Sequence, residues 1–458
     1  MLQRKAFEQL LRWREKDSET ALFVTGARQI GKSYLIEHLA ATQYKHHVTI
    51  NLLQNREAKE ALTGVKTPED LIRRVSLFSR TKLVPGETLI FIDEVQELPD
   101  LLTMAKFLVQ DGRYAYAFSG SMLGTELKGV RSWPVGYVTE VRMYPLDFFE
   151  FCQGLGVSQD AFDQLQEACA TLTPLPAAVH EHFLAYFRTY VTVGGMPAVV
   201  QSFLENESDL GHVRRVQTNL SNAYVADITK YAGTLAPNVR DIYEQLPLQL
   251  DSKSGRFRLN TLSSNARYEK YRLDFNWLVS AGVALKCNIV RDPKHPLGLT
   301  QDAGTFKLYQ SDTGMLVSRY GAAMARDIYL DAQSPNVGCV YENVFAQELA
   351  AREVPLHYYL NKKRGEIDFI CENTRGCVLP LEIKSGRAPR AHASLSKLLE
   401  DRAKEIPRGY VFSRLNFEQN GPVTYLPWYA TVYLEQLLGI ESPYNVDPVP
   451  LKLELPPL

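Results

Sequence analysis

Gly26-Ala27-Arg28-Gln29-Ile30-Gly31-Lys32-Ser33 spells a complete G-x-x-x-x-G-K-S phosphate-binding loop, and its flanks decide the fold around it. Ahead of it, Ala21-Leu22-Phe23-Val24-Thr25 is a short apolar run suited to a buried parallel strand. Behind it, Tyr34 to Ala40 carries strong helix formers. Between a strand and a helix, the two glycines let successive backbone N–H groups point inward, and the new helix aims its positive dipole end at the same place. Outside that context the same letters would be only a glycine-containing turn. Lys32 is placed to reach the β- and γ-phosphates of a nucleoside triphosphate, and the Ser33 hydroxyl to hold Mg²⁺.

Thr88-Leu89-Ile90-Phe91-Ile92-Asp93-Glu94 supplies the second half of that chemistry. A continuous apolar run suits a strand covered on both faces, and acids at its C-terminal end lie where α/β sheets bind ligands. Asp93 is expected to hold the metal through water and Glu94 to polarise the attacking water. The second acid argues for turnover rather than mere binding. Further on, Tyr114 to Ser121 reads as another strand, ending in the small polar groups Ser119-Gly120-Ser121. Ser119 and Ser121 are candidates for sensing the γ-phosphate, and a turn that simply needs Gly and Ser explains them equally well.

With 458 residues the chain has room for about two to four domains. Apolar residues make up 45% and charged residues 22%, enough to bury real cores. A net charge of −1 creates no global field toward nucleic acid or anionic membrane, so any such affinity must be local. Cys152, Cys169, Cys287, Cys339, Cys371 and Cys377 show no C-x-x-C spacing, which argues against a zinc ribbon or a disulfide scaffold. No apolar stretch reaches the length of a membrane span and the N-terminus lacks an apolar signal region, so no membrane partner is expected and the compartment is the cytoplasm by default.

Residues 1–16 look like an amphipathic helix, and the phosphate-loop core is expected to fill 1–150, with Val48 to Leu52 as a further strand. Residues 147–250 carry apolar residues at three- and four-residue spacing, broken at Thr173-Pro174-Leu175-Pro176 and at Gly194-Gly195-Met196-Pro197. Residues 256–290 have the makings of a winged-helix unit. In it, Leu259 to Asn265 and Tyr268 to Val279 are helices, and Val283 to Leu285 and Cys287 to Val290 are wing strands. Lys270 and Arg272 sit where DNA phosphates would be met, while Tyr271, Phe275, Leu278 and Val279 follow a spacing that suits a core.

A second constellation lies near the C-terminus. Gly365 to Cys371 and Val378 to Lys384 both alternate, and Asn373-Thr374-Arg375-Gly376 between them is a turn composition. A hairpin centred on Arg375 sets Asp368 opposite Glu382, with Glu366 and Lys384 on the same face. Facing carboxylates repel, so a divalent metal or a lysine is required between them. Acids beside a lysine suit metal-dependent phosphodiester hydrolysis. Glu342, in the helical stretch opened by Val340-Tyr341-Glu342-Asn343, is a further ligand for the same metal. Asn361-Lys362-Lys363-Arg364 is a local basic patch for a phosphate backbone, or only a solvated loop. An ordinary edge hairpin with a Glu–Lys pair accounts for the cluster as well as a metal site does.

Taken together, these residues resemble a family of bacterial and archaeal AAA+-type ATPases whose C-terminal domain, of unknown function, is related to the PD-(D/E)XK nuclease fold. The resemblance runs through Gly26–Ser33, Phe91 to Gln96, Ser119 to Ser121, Tyr144-Pro145-Leu146-Asp147-Phe148 and Gly194 to Pro197. It continues through Lys307-Leu308-Tyr309, Asp312-Thr313-Gly314, Tyr341 to Asn343, Gly365 to Phe369 and Leu381 to Gly386. It implies an α/β fold: a P-loop NTPase parallel sheet core over 1–150, a helical and winged-helix region over 151–330, and an α/β nuclease-like domain over 331–458. It assigns Asp368 and Glu382 as metal-binding acids, Lys384 as the nuclease lysine and Glu342 as the helix acid. Many relatives carry Gly-Arg just after the sensor strand. Here the run is Gly129-Val130-Arg131, which offsets the finger assigned to Arg131. ATP and Mg²⁺ are the implied cofactors, nucleic acid (DNA above all) an implied partner, and a homo-oligomer is expected because a neighbouring subunit usually donates the finger. Two functions follow: an ATP-hydrolysing machine that cuts nucleic acid, or an ATP-driven switch whose C-terminal domain binds DNA or a protein without cutting.

Overall fold

Strands covered on both faces need no polar side, and the two apolar runs beside the motifs are buried at every position: β1 (Ala21–Gly26) and, two strands later, β3 (Thr88–Asp93). In the computed structural model, which describes residues 2–16, 19–121, 134–206, 209–252, 254–332, 337–386 and 388–439, they join β2 (His46–Asn51), β4 (Ala115–Ser119) and β5 (Val138–Met143) in one sheet of order β2-β3-β4-β1-β5. Every pairing in it is parallel. The C-terminal ends of β1 to β4 therefore lie along one edge, carrying Gly26, Asn51, Asp93 and Ser119 to the same place.

After β5 the chain turns helical, as the apolar spacing predicts. Asp147 caps helix Phe148–Gly154 in a reciprocal capping box with Glu150. Helices Ala177–Val193, Pro197–Glu205 and Leu210–Tyr231 follow. The Gly194–Pro197 turn is a three-way junction. The Leu146 N–H donates to the Gly195 carbonyl at 2.7 Å, and the Gly195 N–H donates to Asp312 Oδ2 at 2.6 Å. A side-chain carbon on Gly195 would overlap the Leu146 backbone. Among the described residues, no helix is long and apolar enough to cross a membrane.

The winged-helix expectation departs from the structure in two places. Helix Tyr268–Ser280 is present, with Tyr271, Phe275 and Leu278 inside and Lys270 and Arg272 exposed. The first helix, however, is only the 3₁₀ turn Leu259–Thr261. The two wing strands are one strand, β6 (Ala284–Val290), held between β7 (Gln301–Gln310), antiparallel to it, and β8 (His357–Asn361), parallel to it. With β9 (Gly365–Ile367) they form a four-stranded sheet of order β7-β6-β8-β9. A strand with neighbours on both sides buries Ala284, Cys287, Ile289 and Val290, which a wing exposed to solvent would not.

The C-terminal hairpin keeps its expected register but not its continuity. β10 (Phe369–Glu372) pairs antiparallel with β11 (Val378–Ile383), with Phe369 opposite Leu381, so Asp368 lies level with Glu382. Yet the run from Gly365 is not one strand. It breaks at Asp368, where the chain leaves one sheet for another of order β10-β11-β12-β14-β13, completed by β12 (Gly409–Ser413), β13 (Glu418–Asn420) and β14 (Val423–Pro427). Glu366 consequently belongs to β9 and the neighbouring sheet, not to the hairpin. Replacing Gly195 with Ala is expected to force the Leu146 backbone away and lower stability by about 2–3 kcal/mol, measured by urea denaturation; an unchanged midpoint would show that the junction yields easily.

Candidate functional site

The phosphate loop takes the conformation its sequence demands. Gly26 has φ +133°, and a side-chain carbon there would run into the Met143 carbonyl on β5 and the Ile30 side chain. Gly31 (φ +91°) precedes helix Lys32–Gln43, whose first residues close the loop. Ala27 and Ile30 are buried, and Gln29 also has positive φ. A cleft of about 1500 Å³ opens over the loop, lined by Gln29 to Ser33, Asn51, Asp93 and Glu94, and also by Arg4, Pro197 and Gln201.

Lys32 is buried, its ammonium bonded to the Gly26 carbonyl at 3.0 Å and the Ala27 carbonyl at 2.7 Å. Burial pushes its pKa down to about 8, against the pull of Glu94 and Asp93. Asp93 is held from four sides. The Ser33 hydroxyl donates to its Oδ2 at 2.9 Å and the Asn51 amide at 2.7 Å. Its Oδ1 accepts the Glu94 N–H at 3.1 Å and the Ser119 hydroxyl. Hydroxyl and carboxylate oxygens are the hard donors Mg²⁺ takes, so Ser33 and Asp93 fit that ion. Ser119 is fully buried, its hydroxyl engaged by that acid. Glu94 sits at φ +57°, a strained setting for a residue with a side chain and one that clusters at functional sites. The Gln96 amide donates to its carboxylate and reaches Ser121 Oγ at 3.4 Å. Arg28 turns away from the cleft: its guanidinium pairs with Asp227 and donates to the Tyr231 hydroxyl at 3.0 Å, both on helix Leu210–Tyr231. Arg131 lies outside the described residues.

The second centre forms where Asp368 crosses between sheets. Asp368 Oδ2 accepts the Ile383 N–H at 2.7 Å, and Lys384 pairs with Glu382 Oε1 at 2.7 Å. Glu382 Oε2 is buried and has no hydrogen-bond partner among the described residues. Glu342, on helix Gly338–Ala351, accepts at Oε2 from Lys307 at 2.9 Å and from the Tyr309 hydroxyl at 3.0 Å. Lys307 also reaches Glu366 Oε1 at 2.7 Å. Burial raises Asp368 well above the usual carboxylate range, helped by Glu382 and Glu342, and raises Glu382 too. For Lys307 and Lys384 burial works the other way, but the surrounding acids outweigh it and both are raised. Among the described residues, no three His, Cys, Asp or Glu side chains are grouped to hold a metal ion. Asp368 and the unpartnered oxygen of Glu382 fit a cation bound by two carboxylates and otherwise by water or phosphate, a common arrangement for Mg²⁺. Of the basic patch, Arg364 is tied to Asp401 at 2.6 Å, while Lys362 and Lys363 are exposed.

Sequence reasoning placed the loop, Asp93 and the C-terminal acids, and passed over the roles of Asn51, Gln96 and Lys307. Asn51 ends a strand, the one cue it offered. Gln96 follows Glu94 by two residues. Arg28, expected within the nucleotide-binding loop, meets Asp227 only in three dimensions. Lys307 was noted within a motif but given no role.

Residues 18–152 match the family described as AAA domain, and residues 184–325 and 337–429 match two families described as domains of unknown function (DUF8612 and DUF4143). No curated protein matches the chain. Among solved structures the chain is similar to the Pif1 helicase from Candida albicans, at 16% identity and TM-score 0.23, over 40% of this chain and 47% of that one. It is similar to the RuvB Holliday junction branch migration motor of Thermotoga maritima, at 12% identity and TM-score 0.28, over 73% and 96%. It is also similar to the Aeropyrum pernix ORC1 protein solved in complex with DNA, at 14% identity and TM-score 0.24, over 72% and 92%. The chain spans about half the length of the Candida helicase. The stretch that matches the AAA domain family is thus the one that carries the phosphate-binding loop and the parallel five-stranded sheet.

Replacing Ser119 with Ala removes one charge-assisted bond to Asp93 and leaves the other three. A loss of about 1.4 kcal/mol in the transition state, within the range for such bonds, corresponds to roughly tenfold slower ATP turnover with nucleotide affinity little changed. Phosphate release and a nucleotide titration on the same variant check both halves; affinity falling in step with rate would place Ser119 in binding instead.

Proposed function

We propose that this chain is an AAA+-type protein that binds and hydrolyses ATP and acts on nucleic acid through a nuclease-like C-terminal centre. The observation that carries the first part is the convergence of Lys32, Ser33, Asp93 and Glu94 on one cleft at the C-terminal edge of the parallel sheet. The loop N–H groups and the helix dipole receive the phosphates. The Lys32 ammonium exchanges its two loop carbonyls for β- and γ-phosphate oxygens. Mg²⁺, held by Ser33 and through water by Asp93, would supply charge neutralisation on the phosphates. Glu94 orients the attacking water and takes its proton, and Gln96 holds the Glu94 carboxylate in position until then. Arg131 of a neighbouring copy would serve as the finger on the γ-phosphate, with copies of the chain assembled side by side.

At the C-terminal centre, Asp368 and Glu382 would hold a divalent cation, which would supply an activated water for attack on a phosphodiester. Lys384 steadies the charge that develops on the phosphate, and Lys362 and Lys363 lie exposed on the turn before β9 to meet the backbone. The second reading, an ATP-driven switch whose C-terminal domain binds without cutting, is favoured by one observation: Lys307 and Lys384 already pair with Glu342, Glu366 and Glu382, so much of the cluster's charge is offset without an ion.

Lys32→Ala is expected to weaken ATP binding about 100-fold or more. Glu94→Gln should bind ATP normally and hydrolyse it about 100-fold more slowly or worse, as read by equilibrium binding and phosphate release. Wild-type turnover in Glu94→Gln removes the water-orienting role. Incubation of plasmid and single-stranded DNA with Mg²⁺ or Mn²⁺ separates the two readings. The first expects metal-dependent cutting that Asp368→Ala and Lys384→Ala abolish; no cutting under any condition leaves the switch.

A further inference from the structure

Lys307 is an unusual residue for its position. β7 passes from exposed to buried along its length, and its last five residues are inside. The Lys307 side chain is 2% exposed, a setting in which an unpaired ammonium would be very costly. Its stem runs past Gly255, where a side-chain carbon would come within 3.4 Å of Lys307 Cε. The ammonium ends 2.9 Å from Glu342 Oε2 and 2.7 Å from Glu366 Oε1, 5.4 Å from the centre of the Tyr358 ring, and within the field of Asp368. One acid comes from helix Gly338–Ala351 and the other from β9, so a single cation ties together the two elements that flank Asp368. Carboxylate oxygens drawn from separate elements around one positive centre are also how a protein builds a site for a hard divalent ion. Here the Glu342 oxygen is already satisfied twice, by Lys307 and Tyr309. Glu382 Oε2, by contrast, is a buried carboxylate oxygen with no hydrogen-bond partner among the described residues.

We propose that the Lys307 ammonium is a built-in cation standing where a divalent ion would otherwise bind between Glu342 and Glu366, which confines the centre's capacity for metal to Asp368 and Glu382. Lys307 is in this sense a positioning residue: it fixes the helix acid and the β9 acid without occupying the ion's place beside Glu382. Glu342 then acts by setting the charge of the centre rather than by ligating. Only the Asp368–Glu382 half of this picture rests on the nuclease-like reading. The exclusion of an ion by Lys307 stands on its own geometry.

The test is an ion count. Mn²⁺ titration of the nucleotide-free, full-length chain, followed by electron paramagnetic resonance, compares wild type with Lys307→Gln and Lys307→Arg. The nucleotide cleft is common to all three and cancels. Lys307→Gln is expected to bind one more Mn²⁺ per chain than wild type, and Lys307→Arg the wild-type number. Equal counts in wild type and Lys307→Gln overturn the proposal. A wild-type count that Glu382→Gln leaves unchanged counts instead against the Asp368–Glu382 site of the proposed function. If Lys307→Gln does not fold, the combined variant Lys307→Met, Glu342→Gln, Glu366→Gln, neutral throughout, is expected to fold and to bind no extra ion. A neutral cluster as insoluble as Lys307→Gln shows that the lysine serves packing alone and overturns the proposal.

Discussion

The Arg352 guanidinium, 3% exposed, pairs with Glu348 at 2.9 Å and faces Asp147 at 3.6 Å, and the relative placement of the two centres depends on that contact. Asp147 caps the first helix after the parallel sheet, in a box with Glu150. Glu150 holds Arg4 at 3.2 Å, and Arg4 donates to the Ile30 carbonyl inside the phosphate loop at 2.9 Å. On the other side, Glu348 accepts the Phe148 N–H and the Tyr190 hydroxyl, each at 2.8 Å. Its helix, Gly338–Ala351, is the one that carries Glu342. Charges this deeply buried persist only when every one is paired, and removal of one partner leaves the others uncompensated. The phosphate loop and the helix acid of the second centre are thus anchored to one polar core rather than to separate domains that merely touch.

The same network marks where the sequence stops being readable. The phosphate loop and the Asp93-Glu94 pair were legible because their chemistry is local: eight consecutive residues, then an apolar run ending in acids, each recognisable from its own neighbours. The C-terminal hairpin register was legible for the same reason, since a turn composition at 373–376 fixes which residues face each other, and Asp368 does fall level with Glu382. The break at Asp368 was not legible, because alternation continues across it and only the presence of two different partner strands divides β9 from β10. β6 was read as two wing strands because nothing in residues 283–290 announces a strand from beyond residue 350 on one flank. Arg28 and Asp227 are 199 positions apart, and Lys307 is joined to Glu342 and Glu366 by tertiary contact alone. A lysine in a strand is ordinarily solvated, so its pattern carries no sign of burial.

The two centres handle charge in opposite ways, and the contrast bears on what each can accept. In the nucleotide cleft the acid is immobilised by hydroxyl, amide and backbone donors, all neutral, while the one ammonium, Lys32, is bonded to neutral carbonyls and depressed to about 8 by burial. A triphosphate entering there gives that ammonium a charged partner that burial alone denies it, so anion binding relieves an existing cost. At the C-terminal centre the lysines are already paired with carboxylates, and burial together with mutual repulsion presses on Asp368 and Glu382. Among the described residues Glu382 Oε2 is a buried oxygen of that cluster without a hydrogen-bond partner, and a cation there would relieve it. The buried pairings that hold the second centre together thus leave it receptive to positive charge, where the nucleotide cleft is receptive to negative charge.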